Sequence, residues 1–167
     1  ESKDAAKILG IPESNLIFLD LPYYYHRGFV DLSPIDDCRD VMPVKELLLN
    51  IRPRHIFYSA EADPHGAHGL CAEIIGRASE EIISFWDVSF WGYRGAYEEW
   101  ELYKTPDLII IPFGEKDMDI KIKAIKSHAS QLNPLFPSFD LREFYERARD
   151  RNRKTGRILE QLGYLDN

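Results

Sequence analysis

The 167 residues are 44% hydrophobic and 29% charged, a composition that predicts one soluble globular domain able to bury roughly 70% of its unfolded surface. The net charge of −7, from 21 basic and 28 acidic side chains, argues against nucleic acid as a partner, because phosphate binding asks for concentrated positive surface. Cys38 and Cys71 have no motif spacing, no apolar run is long enough for a membrane span and no signal peptide is visible, so the expected setting is reducing and cytoplasmic, away from membranes.

Residues 1–9 keep alanines and Ile8-Leu9 at helical spacing, and Gly10 offers a left-handed stop. The stretch has no starting methionine and no N-cap, and reads as the second half of a cut helix. Residues 15–19 (Asn-Leu-Ile-Phe-Leu) predict a strand ended by Asp20. Residues 21–30 read as a loop through Pro22 and Gly28, yet carry three tyrosines, His26 and Arg27. Such a loop either packs on the body by its rings or faces a substrate. Residues 35–50 predict a helix broken or restarted near Pro43 and stopped by Arg52-Pro53.

A strand at 55–59 is followed by the turn Ala62-Asp63-Pro64-His65-Gly66-Ala67-His68 and a helix over 69–77, whose Leu70, Ile74 and Ala78 recur at four-residue spacing. Residues 81–86 and 88–93 are rich in β-formers and stand as strand candidates. Residues 108–111 (Leu-Ile-Ile-Ile), closed by Pro112, predict a buried strand. A helix over 115–131 should turn Ile120, Ile122, Ala124 and Ile125 inward. A loop with two prolines covers 133–139, and a last helix runs from about 141 to 162 with Gly163 as its stop. Alternating strands and helices predict an α/β protein with a parallel sheet and crossover helices.

Aromatics reach 13% and cluster at 23–25 and 85–100, a pattern that fits either a π-rich pocket or simple core filling. The basic stretch from Arg142 to Arg157 is interleaved with acids and reads as a solvated helix face.

The chemistry-bearing residues gather at the turn after residue 60. Histidine titrates near neutral pH and is the commonest metal ligand. His65 and His68, three apart with Asp63 just ahead, could point their rings to one side, one binding a metal and the other handling a proton or an oxyanion. Gly66 and Gly69 would let backbone or ligand approach. The same pair could equally cap the next helix or bond within the loop. An open catalytic zinc needs three protein ligands, and His26, His55 and His128 stand in no spacing that completes one. His55, at a strand start, reads as structural. His128, near a helix end, suits the helix dipole when charged.

Asp63-Pro64-His65-x-x-His68 before a helix, then Lys121-Ile-x-Ala124-Ile125-x-x-His128-x-Ser130-Gln131, resembles the LmbE/PIG-L family of zinc-dependent de-N-acetylases. Residues 5–10 and 18–22 match that family's middle section in order. The likeness is greatest to a branch in which the deacetylase-like domain sits behind a glucosamine-6-phosphate deaminase-like domain in one polypeptide. Tyr93-Arg94-Gly95-Ala96-x-x-Glu99-Trp100 and residues 142–153 carry that closer match.

The resemblance implies a Rossmann-like three-layer α/β/α sandwich, a single domain over 1–167 lacking its first strand and helix. It implies zinc, with His68 as a ligand, Asp63 and His65 as catalytic residues, and His128 supporting the site from behind the ligands. Zinc would polarise the acyl carbonyl and activate water. Tyr25, Arg27 and Arg94 become the candidates for binding an amino-sugar substrate. The family's other metal ligands and base come from a His-Pro-Asp-Asp segment that this chain lacks. The chain alone is therefore expected to bind zinc weakly, hydrolyse little and expose a sheet edge that favours self-association. The alternative is a domain that binds an amino-sugar phosphate without turnover.

Overall fold

The protein is described by a computed structural model covering residues 1–21, 35–60, 66–94, 107–134 and 137–164. The expected aromatic loop with Tyr25 and Arg27, the turn residues Asp63 and His65, and the segment 95–106 lie outside the described residues. The chain is mixed α/β and divides into two compact units, residues 18–106 and residues 1–17 with 107–167.

The unit 18–106 holds the sheet. A single π-turn, Asp37–Val41, leads into helix α2, Met42–Ile51; helix α1, Ser2–Ile8, belongs to the other unit. The turn is capped in both directions: Asp36 accepts from the Arg39 N–H at 2.9 Å, and buried Asp40 accepts from the Asp36 N–H at 2.9 Å. Pro43 falls in the first turn of α2, where its missing N–H has no partner to lose. Arg52 ends the helix in the left-handed region, φ 49°, donating its N–H to Leu48 O at 2.8 Å.

Strands β1, His55–Ser59, and β2, Ser89–Tyr93, pair in parallel, His55 opposite Ser89 through Ser59 opposite Tyr93. Helix α3, Ala67–Ser79, makes the crossover. The core of this unit joins Val41, Val44 and Leu48 to Ile74, Ala78 and Ile82, with Ile56, Leu70 and Trp86 packed against it. The four-residue spacing of Leu70, Ile74 and Ala78 thus marks the inward face of α3. Gly92 is required in β2 by contact: a Cβ there would lie 2.6 Å from Ala60 Cβ.

Three expected strands are corrected. Residues 15–19 form a 3₁₀ turn, Glu13–Asn15, followed by extended but unpaired backbone, with Ile17 and Phe18 more than half exposed. Residues 81–86 contain a 3₁₀ turn, Ile82–Ser84, held by the Ser84 hydroxyl donating to Glu81 O at 2.7 Å. Ile82 fills the core at 0% exposure while Ile83 stays 57% exposed, so burial of one isoleucine outweighs the β-propensity of the run. Residues 108–111 are neither paired nor buried: Leu108 and Ile110 are half-buried, Ile109 and Ile111 exposed. That alternation is what one packed side produces.

The unit of residues 1–17 and 107–167 is helical. Helix α1 packs on α4, Glu115–Lys126, and α4 packs on α5, Phe144–Gln161. Its buried residues are Ala5, Ala6, Met118, Ile122, Ala124 and Leu159, whereas Ile120, expected inside, is 42% exposed. Asp117 caps α4 by accepting from the Gly114 N–H at 3.2 Å, and Glu146 caps α5 by accepting from the Glu143 N–H at 3.0 Å. Gly10 and Gly163 both take positive φ after helices, as expected of stops.

Helix α4 is shorter than its periodicity predicts. The Ser127 hydroxyl donates to Ala124 O at 2.7 Å, and a separate 3₁₀ turn, Ala129–Gln131, follows. The basic stretch is not simply solvated: Arg153 pairs with Glu115 at 2.9 Å and Arg149 with Asp119 at 2.7 Å across α4 and α5.

Candidate functional site

Parallel pairing directs the carboxyl ends of β1 and β2 to one edge of the sheet, the place where α/β proteins hold ligands. Ala60 extends the pairing by donating its N–H to Tyr93 O at 3.2 Å. Gly66 then begins α3 with φ 74° and ψ −2°, and its carbonyl accepts from the Leu70 N–H at 2.9 Å. Only glycine takes this backbone without strain. Gly69 answers to no such need, since a Cβ there meets nothing within 4 Å.

His68 is the second residue of α3, half-buried, in the turn where helix N–H groups carry partial positive charge. Arg94, also half-buried, directly follows β2. The fold therefore brings the helix start bearing His68 and the strand end bearing Arg94 to the same edge of the sheet. An imidazole so placed can ligate a metal or hold a proton, and a guanidinium beside the edge can bind an anionic group. Asp63, His65, Tyr25 and Arg27 fall outside the described residues.

His128 belongs to the other unit. It stands beyond α4 rather than in its last turn, donating its N–H to Ile125 O at 3.0 Å and accepting from the Gln131 N–H at 2.8 Å. In the same segment, the Glu1 carboxylate accepts from the Ser130 N–H at 2.9 Å and hydroxyl at 2.7 Å, bonds that hold Glu1 below the usual carboxylate range. His55 has a structural partner: its Nδ1 accepts from Trp91 Nε1 at 3.1 Å.

Among the described residues no group of three or more His, Cys, Asp or Glu side chains could hold a metal ion. A catalytic zinc takes three protein ligands. His68 supplies the right donor chemistry at the right edge, but the described residues do not by themselves make a zinc site.

A cavity of about 370 Å³ opens on the α3 side of the sheet. Tyr58 and Phe90 line it from the strands, and Ala72, Ile75, Gly76 and Ser79 from the helix. The sequence reading missed it, although small residues at 72, 76 and 79 are the signal for an open groove on a helix face.

A curated protein matches this chain. It is a glucosamine-6-phosphate deaminase-like protein of Bacteroides thetaiotaomicron, 35% identical over 170 residues. The match covers 98% of this chain and 25% of that protein, so the chain spans about a quarter of the relative's length. No family model matches the chain. No solved structure matches it. Among the described residues no helix is long and apolar enough to cross a membrane.

Proposed function

We propose that this chain is part of a metal-dependent amide hydrolase of amino-sugar metabolism, a LmbE/PIG-L-like de-N-acetylase unit whose working residues lie in the segment 62–68. The observation that carries the reading is the position of His68, in the first turn of α3 at the carboxyl edge of a parallel sheet. Similarity over 98% of the chain to a protein named glucosamine-6-phosphate deaminase-like supports the link to amino sugars and to a neighbouring domain of that kind in one polypeptide. In this reading β1, α3 and β2 are one βαβ unit of a Rossmann-like three-layer sandwich.

His68 is proposed as a zinc ligand, Asp63 and His65 as the catalytic pair and His128 as a supporting residue. Tyr25, Arg27 and Arg94 are proposed to hold the substrate. Zinc, when bound, supplies Lewis acidity at the acyl carbonyl. A half-buried imidazole at the start of α3 and a half-buried guanidinium after β2, both at the carboxyl end of the sheet, support these roles. The proposed setting is the cytoplasm. Self-association through a sheet edge belongs to the same reading.

The test is acyl release from an N-acetylated amino sugar by the full-length natural protein with zinc, against its His68→Ala variant. A fall of about 10²-fold or more is the expected result for a lost ligand; equal rates in the two proteins would sink the assignment.

A second reading, a domain that binds an amino-sugar phosphate without turnover, is supported by the half-buried Arg94 guanidinium at the carboxyl end of β2. Calorimetry with glucosamine 6-phosphate in metal-free buffer distinguishes it. Heat of binding that disappears in Arg94→Ala supports this reading, and no heat counts against it.

A further inference from the structure

We infer that His55 and Trp91 form a pH-sensitive latch across the parallel sheet. The register sets His55 opposite Ser89 and Phe57 opposite Trp91. His55, Phe57, Ser89, Trp91 and Tyr93 therefore share one face, while Ile56, Tyr58 and Phe90 point to the face that α3 covers. The bond from Trp91 Nε1 to His55 Nδ1, 3.1 Å long, runs diagonally from the first rung of the sheet to the third. The two rings stand 6.1 Å apart, and Phe57 stacks on the indole at 6.5 Å and 22°.

An indole N–H can only donate, so His55 Nδ1 must be bare and the ring proton must sit on Nε2. An imidazolium carries a proton on both nitrogens. When His55 takes a proton from solvent at Nδ1, two N–H groups face each other and the bond opens. No other bond changes, and the proton returns to solvent when the latch closes. Solvent reaches the ring because His55 is exposed.

Nothing on that face of either strand holds the imidazolium in place of the indole. Among the described residues, β2 contributes Tyr93, whose phenol class stays neutral between about pH 5 and 8. Neither strand contributes a carboxylate or an ammonium to it. Among the described residues the flanking charges are Arg54 before β1, Asp87 two residues ahead of β2 and Arg94 after it, and α3 packs on the opposite face. The latch is closed while the His55 ring is neutral and open when it is an imidazolium. It is independent of the hydrolase reading, since it uses neither His68 nor a metal.

The experiment is two-dimensional ¹H–¹⁵N spectroscopy of the indole N–H groups of the 167-residue chain from about pH 5 to 8, the span over which imidazole titrates. The three tryptophan signals are assigned with Trp91→Phe. The Trp91 indole signal is expected to move with the His55 ring protons along one titration curve. In His55→Gln, whose amide oxygen can accept but does not titrate, the signal should stay still. A Trp91 signal that ignores pH in the parent chain overturns the latch, and so does one that moves equally in His55→Gln. The parent titration is decisive on its own if the variant fails to fold.

Discussion

Arg147 donates to Asp140 across 2.9 Å, and this ion pair ties the segment before α5 to the helix itself. Arg142 adds its backbone N–H, its Nε and its Nη2 to the same carboxylate, and reaches on to Asp150 at 2.7 Å. Side-chain bonds from Arg142, then its backbone N–H and Arg147, hold the Asp140 carboxyl far below the ordinary carboxylate range. Asp140 and Arg147 are mostly shielded, with side chains 12% and 20% exposed. That separates them from the open pairs on this surface, which carry little stability.

Because the folded-state pKa of Asp140 is depressed, its contribution is present above the unfolded value near ~3.9 and is lost as pH falls through the folded value. Glu1 and Glu115 are lowered too and act in the same direction. The melting temperature should therefore fall on acidification below about pH 5, where carboxylates begin to protonate. In Asp140→Asn it should start lower and fall less. Thermal melts of both proteins across that range check this; parallel curves would remove Asp140 from the account.

Gly92→Ala should destabilise the chain by about 1–3 kcal/mol, the usual range for overpacking, because the new methyl would stand 2.6 Å from Ala60 Cβ. Ala60→Gly should recover most of that loss in the double variant, since it removes the opposing methyl. Urea unfolding of the two single variants and the double one gives the coupling directly.

Ile82→Ala and Ile83→Ala should part company. Ile82 is fully buried, and its truncation should lower stability by about 2–5 kcal/mol. Ile83 is 57% exposed, and its truncation should stay within about 0.5 kcal/mol. Similar losses from both would favour a strand at 81–86.

Gly66→Ala should lower stability by about 1–2 kcal/mol, because an L side chain is strained at φ 74°. Gly69→Ala, inside α3 with open space around its Cβ position, should be neutral or stabilising by up to about 1 kcal/mol. On the proposed hydrolase reading, with Gly66 setting the aim of His68, acyl release by the full-length protein should fall in Gly66→Ala and persist in Gly69→Ala. Melts and rates measured on the same preparations separate fold from function.

What lay in the residues themselves is the local order of the chain. The local pattern placed α2, α3 and α5 and the inward face of α3, Gly10 and Gly163 stopped helices, and the β-branched and aromatic runs at 55–59 and 89–93 became the parallel pair. Local signals of this kind act within a few turns of chain, so a linear reading can find them. The start of α3 was legible for the same reason: glycine at 66, histidine at 68, strand before and helix after.

Tertiary structure decided everything that depends on a neighbour. Residues 15–19 and 108–111 have strand composition, yet a strand exists only where another supplies the ladder, and the described sheet pairs β1 with β2 alone. Ile82 became core and Ile83 surface because Ile82 joins the cluster formed by α2 and α3, while Ile83 stays exposed. His55 became a hydrogen-bond acceptor only when the parallel register carried Trp91 to its diagonal. Composition states which groups a segment offers; which of them meet a partner is set by packing between segments far apart in the chain.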